Sequence, residues 1–301
     1  MKSASAPYPY AFFQGEIVPI EKAQISIMTN SLHYGVGIFG GIKAFPVGDK
    51  IGIFRLDDHL ERLNNSVTIL GFPFEFDLKQ TKEIILNLAQ KNNLEEISYI
   101  RPLIYRSDTR LSPDIAGDYN LAIYMMRMPN YFDENKGIEV CVSSWQRNSD
   151  SAIPPRTKAT GGYINSTLAI NEARQSGYES AIMLDKNGHV SEGAVMNIFL
   201  AKQGKLITPS VDSDILEGIT RRTVMELAEE IGIEIEQRLV DRSELYTADE
   251  AFFTGTAANI TWCKSIDKTV LGSQKGRITE KIAKAFKNLP DTHKELFTLL
   301  N

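Results

Sequence analysis

The segment PPRTKATGGYINS, residues 154–166, sets Lys158 among Thr157, Thr160, Gly161 and Gly162. Glu192 follows at the centre of VSEGAVMNIF, residues 190–199. Two further turns of small residues come later, LEGITRR at 216–222 and TGTAAN at 254–259. Between them the chain alternates short strand-like runs, tight turns and single helices. This pattern predicts an α/β fold with α+β character.

At 301 residues the chain is long enough for two domains, each with its own core. Its 43% apolar and 24% charged content is that of an ordinary globular protein. The net charge of -5 leaves no basic excess to neutralise phosphates, which argues against nucleic acid as a partner. Cys141 and Cys263 are the only cysteines, too few for a disulfide framework or a cysteine-built metal cluster. The first residues, MKSASAPYPYAFFQGEI, lack a long apolar core, and no stretch approaches the roughly 20 apolar residues of a membrane span. The expectation is a cytoplasmic protein with reduced thiols.

Strand-like runs crowd the first third: AFFQGEIVPI, AQISIMT, GIKAFPV and KIGIF. A helix is predicted over 56–70, with Leu60, Leu63, Val67 and Leu70 on one face and Gly71 as its stop. A second is predicted over 81–92 with Thr81 as N-cap, followed by strands in ISYIRPLIYR and NLAIYMMRM. The polar, turn-rich MPNYFDENKG, 128–137, is the expected boundary, giving domains at 1–127 and 138–301. Beyond it the pattern predicts a helix over 166–177 and hairpins ESAIMLD–HVSEG and NIFLAK–GKLITP. An amphipathic helix over 220–231 closes at Gly232. Gly35, Gly37 and Gly40 match G-x-G-x-x-G, but GIKAFPVGDKIGIF after them reads as a β-hairpin rather than the helix a dinucleotide site needs.

Five features carry chemistry. A nucleophilic lysine must be shielded enough to hold a neutral amine, and Lys158 lies among small residues before Tyr163. Glu192 stands among glycine and small side chains, although it also reads as a solvated hairpin carboxylate. Gly218, Ile219 and Thr220 open a helix whose first N–H groups face outward, and Thr256 stands in a second small-residue turn. Arg55, at a strand–helix junction, reads either as a phosphate clamp or as a helix-start arginine in a surface ion pair. Together they answer the needs of pyridoxal phosphate: an amine for a Schiff base, a carboxylate for the pyridine nitrogen, and donors for the phosphate.

At these residues the chain resembles the fold type IV pyridoxal-phosphate enzymes, and most the branched-chain amino acid aminotransferases. The resemblance runs through SLHYGVGIFGGIK, FRLDDHLERL, SYIRPLIYR, VSSWQR, TKATGGY, SEGAVMNIF, LEGITRR and LYTADEAFFTGTAANIT. It implies a smaller N-terminal α/β domain, a larger β-rich C-terminal domain carrying the lysine, and the cofactor between them. It implies that Lys158 is the Schiff-base lysine, Glu192 the partner of the pyridine nitrogen, and Tyr163 the partner of the ring oxygen. Arg55, Ile219, Thr220 and Thr256 are implied as the phosphate cup. Tyr34, Phe39, Tyr99, Arg101, Tyr131 and the N–H of Ala257 are implied around the substrate. The activity implied is transfer of an amino group from a branched-chain L-amino acid to 2-oxoglutarate, by a ping-pong cycle in a homodimer or larger homo-oligomer. D-amino acid aminotransferases and aminodeoxychorismate lyase share the fold and stand as the alternatives.

The chain departs from the family where F-E-G-I-R is usual and Phe39-Gly40-Gly41-Ile42-Lys43 is present. Gly40 removes a carboxylate, and Lys43 puts a point charge in place of a planar fork. Both bear on the choice of substrate rather than on the type of reaction.

Overall fold

The computed structural model describes residues 6–128, 132 and 136–300. Its contacts divide the chain into two compact units: Met1–Pro129 with Thr157–Gly161 and Leu289–Asn301, and Asn130–Arg156 with Gly162–Asn288. The continuous split expected from the sequence therefore differs at two places. The lysine segment and the last residues group with the first unit.

The elements of the first half are β1 (Tyr10–Phe13), β2 (Glu16–Pro19), α1 (Asn30–Tyr34), β3 (Gly37–Phe39), β4 (Ile42–Val47), β5 (Lys50–Phe54), α2 (Leu56–Leu70), α3 (Leu78–Lys91), β6 (Ser98–Arg106) and β7 (Tyr119–Arg127). Then come β8 (Ile138–Val142), α4 (Tyr163–Gln175), β9 (Ser180–Leu184), β10 (Val190–Gly193), β11 (Asn197–Lys202), β12 (Lys205–Pro209) and α5 (Ile219–Glu230). The series ends with β13 (Ile235–Arg238), β14 (Glu250–Gly255), β15 (Asn259–Ile266), β16 (Thr269–Val270), α6 (Arg277–Thr292) and β17 (Phe297–Leu299).

The first unit is built on an antiparallel sheet in the order β17-β5-β4-β6-β7-β1-β2, with β3 paired to β6. Its core gathers Ile42, Ile53, Ile100, Ile123 and Met125 from the strands with Leu56, Leu60, Ile85 and Leu88 from α2 and α3. α2 follows the predicted periodicity, and Gly71, at φ 66°, ends it in the left-handed conformation. α3 begins earlier than predicted, because Asp77 rather than Thr81 is the cap and accepts the N–H of Gln80 at 2.9 Å. AQISIMT is not a strand; it leads as an irregular segment into α1. The fully buried Arg106 gathers the loop after β6 by bonding Asp108 and the carbonyls of Ser112 and Asp114.

The second unit holds a mixed sheet, β10-β9-β8-β15-β14-β11-β12-β13, with β16 beside β15. β8 runs parallel to β9 and β15, and β12 parallel to β13. Both predicted hairpins form: β9–β10 turns at Gly188 and β11–β12 at Gln203–Gly204, all three residues with positive φ. α4 starts at Tyr163, three residues before the predicted start, and α5 at Ile219. The core is lined by Val140, Ile182, Ile198, Leu200, Phe253 and Ile266.

Candidate active site

In the first unit, the backbone of Lys158 is fastened along β3. Phe39 donates its N–H to the carbonyl of Lys158 at 3.1 Å, and Thr160 donates its own to Gly37 at 2.8 Å. The Thr160 hydroxyl adds a bond to the carbonyl of Gly35 at 2.7 Å. This approach requires glycine: a Cβ on Gly35, at φ 66°, would stand 2.7 Å from the Cα of Gly161. The Nζ of Lys158 comes to rest 5.3 Å from the centroid of the Phe39 ring.

β6 also borders Phe39, pairing it with Leu103. The Arg101 guanidinium lies 4.4 Å from the Phe39 ring and 5.0 Å from the Tyr99 ring, and donates to the Tyr99 hydroxyl at 2.9 Å. Arg101 Nε is buried with no hydrogen-bond partner among the described residues. A buried donor without a partner is costly, so this nitrogen is poised for an acceptor brought by a ligand. Lys43 stands opposite Tyr99 in the strand register and is 2% exposed, its Nζ 5.5 Å from the Phe45 ring. Gly41 is the space into which Tyr99 leans, since a Cβ there would meet its hydroxyl at 2.1 Å.

Arg55 takes the left-handed conformation, φ 45° and ψ 45°, rare for a residue with a side chain. Its N–H donates to the Leu296 carbonyl at 2.7 Å, and its guanidinium meets Asp58 at 3.2 Å. The ion pair foreseen at this helix start exists, but the arginine is enclosed rather than on the surface. Tyr34 is exposed at the end of α1. Tyr131 lies outside the described residues.

In the second unit the hairpin carboxylate is not solvated. Glu192 is 4% exposed. Its Oε1 receives Arg147 Nε at 2.9 Å and lies 2.8 Å from Nη2. Its Oε2 receives Asn197 Nδ2 at 2.8 Å and the Leu216 N–H at 3.2 Å. The carboxylate thus accepts from an enclosed arginine on one oxygen and from an amide and a backbone N–H on the other. Ile219 and Thr220 form the first turn of α5; the N-cap Gly218 makes no side-chain cap bond, and the turn holds no acidic residue. Those N–H groups can therefore take an anion. Arg221, in the same motif, is turned away and donates to the Pro209 carbonyl and to Gln237. Thr256 and Ala257 occupy the turn between β14 and β15, and Tyr163 is the first residue of α4.

Each unit by itself carries groups of the kind a phosphorylated pyridine aldehyde uses: the first an amine near an aromatic ring, the second a buried carboxylate and an uncapped helix start. Sequence reasoning missed Arg147 and Asn197 as functional neighbours, although both lie inside the quoted motifs VSSWQR and SEGAVMNIF. Only the folded hairpin brings them to Glu192. No group of three His, Cys, Asp or Glu able to hold a metal ion occurs among the described residues. No helix of the described chain is long and apolar enough to cross a membrane.

Comparison with known proteins gives the family. The sequence model of the amino-transferase class IV family matches residues 37–266. A probable branched-chain-amino-acid aminotransferase of Aquifex aeolicus is 45% identical over 93% of this chain and 91% of its own length. The solved branched-chain aminotransferase of Thermoproteus uzoniensis with norvaline superposes with a TM-score of 0.93 at 38% identity, covering 99% of this chain and 100% of that one. The branched-chain amino acid aminotransferase of Thermobaculum terrenum in its PLP-form gives 0.91 at 33% identity, over 98% of this chain and 99% of that one. The chain belongs to the class IV aminotransferases, and within them to the branched-chain-amino-acid aminotransferase family.

Proposed function

We propose that the protein is a pyridoxal-phosphate-dependent aminotransferase that moves the amino group of a branched-chain L-amino acid to 2-oxoglutarate in a ping-pong cycle. The observation that carries this reading is Arg101, lodged between Phe39 and Tyr99 with an unpartnered Nε. Aromatic walls accept an apolar side chain, while the same arginine accepts the second carboxylate of a dicarboxylic oxo acid.

The bound cofactor supplies an electron sink for the pair left when a Cα–H bond breaks. Lys158 Nζ would take that proton from the substrate Cα and hold it for return. Glu192 accepts the ring N–H, and the Tyr163 hydroxyl donates to the ring oxygen. Ile219, Thr220 and Thr256, with the guanidinium of Arg55, donate to the phosphate. The Ala257 N–H receives the substrate α-carboxylate, and Tyr34 and Tyr131 complete the wall. A homodimer or larger assembly belongs to the same reading, supported by the exposed Ile25, Ile27, Met28 and Leu32 around α1. A cytoplasmic setting also belongs to it, supported by two buried free thiols.

The test is an amino-donor panel with 2-oxoglutarate, scored for rate and enantiomer, on wild type and Lys158→Ala. Leucine, isoleucine or valine of the L series should lead, and Lys158→Ala should lose both turnover and the bound cofactor's visible absorption band. A fully active Lys158→Ala protein would refute the assignment. Pyruvate release from aminodeoxychorismate without an oxo-acid acceptor would replace it with the lyase.

A further inference from the structure

We propose that Asn197 is a positioning residue that fixes the ring-nitrogen carboxylate and the phosphate-binding turn in one register; this rests on the cofactor reading above. Asn197 is the first residue of β11 and is buried. Its Nδ2 donates twice, to Glu192 Oε2 at 2.8 Å and to the Leu216 carbonyl at 2.8 Å. The Leu216 N–H closes the ring by donating to the same Glu192 oxygen at 3.2 Å. One amide therefore ties a carboxylate on β10 to the turn that opens α5.

The other end of the amide is equally confined. A Cβ on Gly218 would stand 2.0 Å from Asn197 Oδ1. Gly218 has φ -70° and ψ 133°, a conformation any residue adopts, so the need for glycine comes from Asn197 alone. Across the strand ladder Asn197 also faces Thr254, two residues before Thr256 of the second turn. The side chain lies where Glu192, the start of α5 and the end of β14 meet, and none of these three is fixed to the others by local sequence. Arg147 holds the opposite oxygen of Glu192 and makes no bond to the turn among those described, so the coupling falls to Asn197 together with the longer bond from the Leu216 N–H.

The consequence is a link between two ends of one ligand. Donors for a phosphate and an acceptor for a ring N–H serve together only if their separation matches the ligand. Removal of Asn197 leaves the 3.2 Å bond from the Leu216 N–H as the hydrogen bond described between the turn and Glu192, and the turn can shift from its register. The loss then falls on ligands that use both ends.

The experiment titrates apoprotein with pyridoxal phosphate and with pyridoxal, which lacks the phosphate, and takes the ratio of the two Kd values. Wild type, Asn197→Ala, Gly218→Ala and the double variant are compared, with a melting curve for each. Asn197→Ala should shrink the phosphate advantage by about tenfold or more, the scale of a hydrogen bond to a charged group. Gly218→Ala, which leaves Glu192 untouched and pushes the amide aside, should reproduce that loss. The double variant should recover the melting temperature lost by Gly218→Ala and still lack the phosphate advantage. A role in stability alone would weaken both ligands alike and leave the ratio unchanged; that result, in either single variant that folds, overturns the proposal. Wild type that binds no pyridoxal phosphate would instead refute the cofactor reading.

Discussion

Replacing Arg147 by methionine tests how the buried carboxylate is kept charged. The side chains of Arg147 and Glu192 are 13% and 5% exposed, so solvent screens the pair little. Methionine matches the length of the arginine stem and removes the charge, leaving Glu192 with Asn197 Nδ2 and the Leu216 N–H. Breaking one side of a buried ion pair costs about 3–5 kcal/mol. These donors, still in place, put the expected loss at the lower end, about 3 kcal/mol at neutral pH. With an unfolding entropy of about 2.1 cal/mol/K per residue, 301 residues make roughly 0.6 kcal/mol/K, so thermal melting of the apoprotein should fall by roughly 5 °C. Arg147→Met with Glu192→Gln should recover most of the stability, because no bare charge remains. Urea melts of wild type and the two variants at neutral pH would check the sequence of effects. A loss below about 1 kcal/mol, or a double variant no better than the single, would refute a buried ion pair at this site.

Arg101→Met should raise KM for 2-oxoglutarate about tenfold to a hundredfold while sparing branched-chain 2-oxo acids, as steady-state kinetics with both acceptors would show. Asp108 is held at about 2, first by its hydrogen bond from Arg106, well below the ordinary carboxylate value near 3.9. A depressed folded value means that this stabilisation is present above about pH 4 and lost as pH falls through about 2. Asp108→Asn should therefore destabilise at neutral pH and flatten the fall in stability between pH 4 and 2; parallel acid melts of the two proteins would count against it. Burial pushes Cys141 up to about 11 and Cys263 higher still. Both thiols should resist iodoacetamide at pH 8 until denaturant is added, as mass spectrometry would record. Phe297→Ala empties a site packed against Phe45 and Phe54 and should cost about 3 kcal/mol in a denaturant melt.

Where local physics decides an element, the sequence showed it. The spacing of Leu60, Leu63 and Val67, closed by Gly71, is α2 as predicted, and the turns of β9–β10 and β11–β12 are written in their glycines. AQISIMT failed because alternation reports which residues are apolar, and not whether a neighbouring strand is there to pair with. Ile27 is 82% exposed, so nothing in this unit covers the face that alternation seemed to bury. The cap of α3 was misplaced because Leu78 is exposed and adds nothing to the apolar stripe, while Asp77 does the capping. Lys158, Glu192 and the start of α5 were legible as residue types fit for one cofactor. Arg147 and Asn197 were not, because their role depends on which side chains β10 and β11 bring together.

One connection lies beyond any local signal: β17 forms the outer strand beside β5, pairing Phe297 with Phe54. These partners are 243 residues apart (297 − 54). A ribosome adding about 5–20 residues each second needs roughly 12–50 s to pass from one to the other. Through that interval β5 is an open edge, and Arg55 lacks the Leu296 carbonyl that its N–H bonds in the folded chain. The strained arginine is thus among the last residues to be set during synthesis. A stalled nascent chain would carry the lysine segment long before the loop at Arg55 had closed.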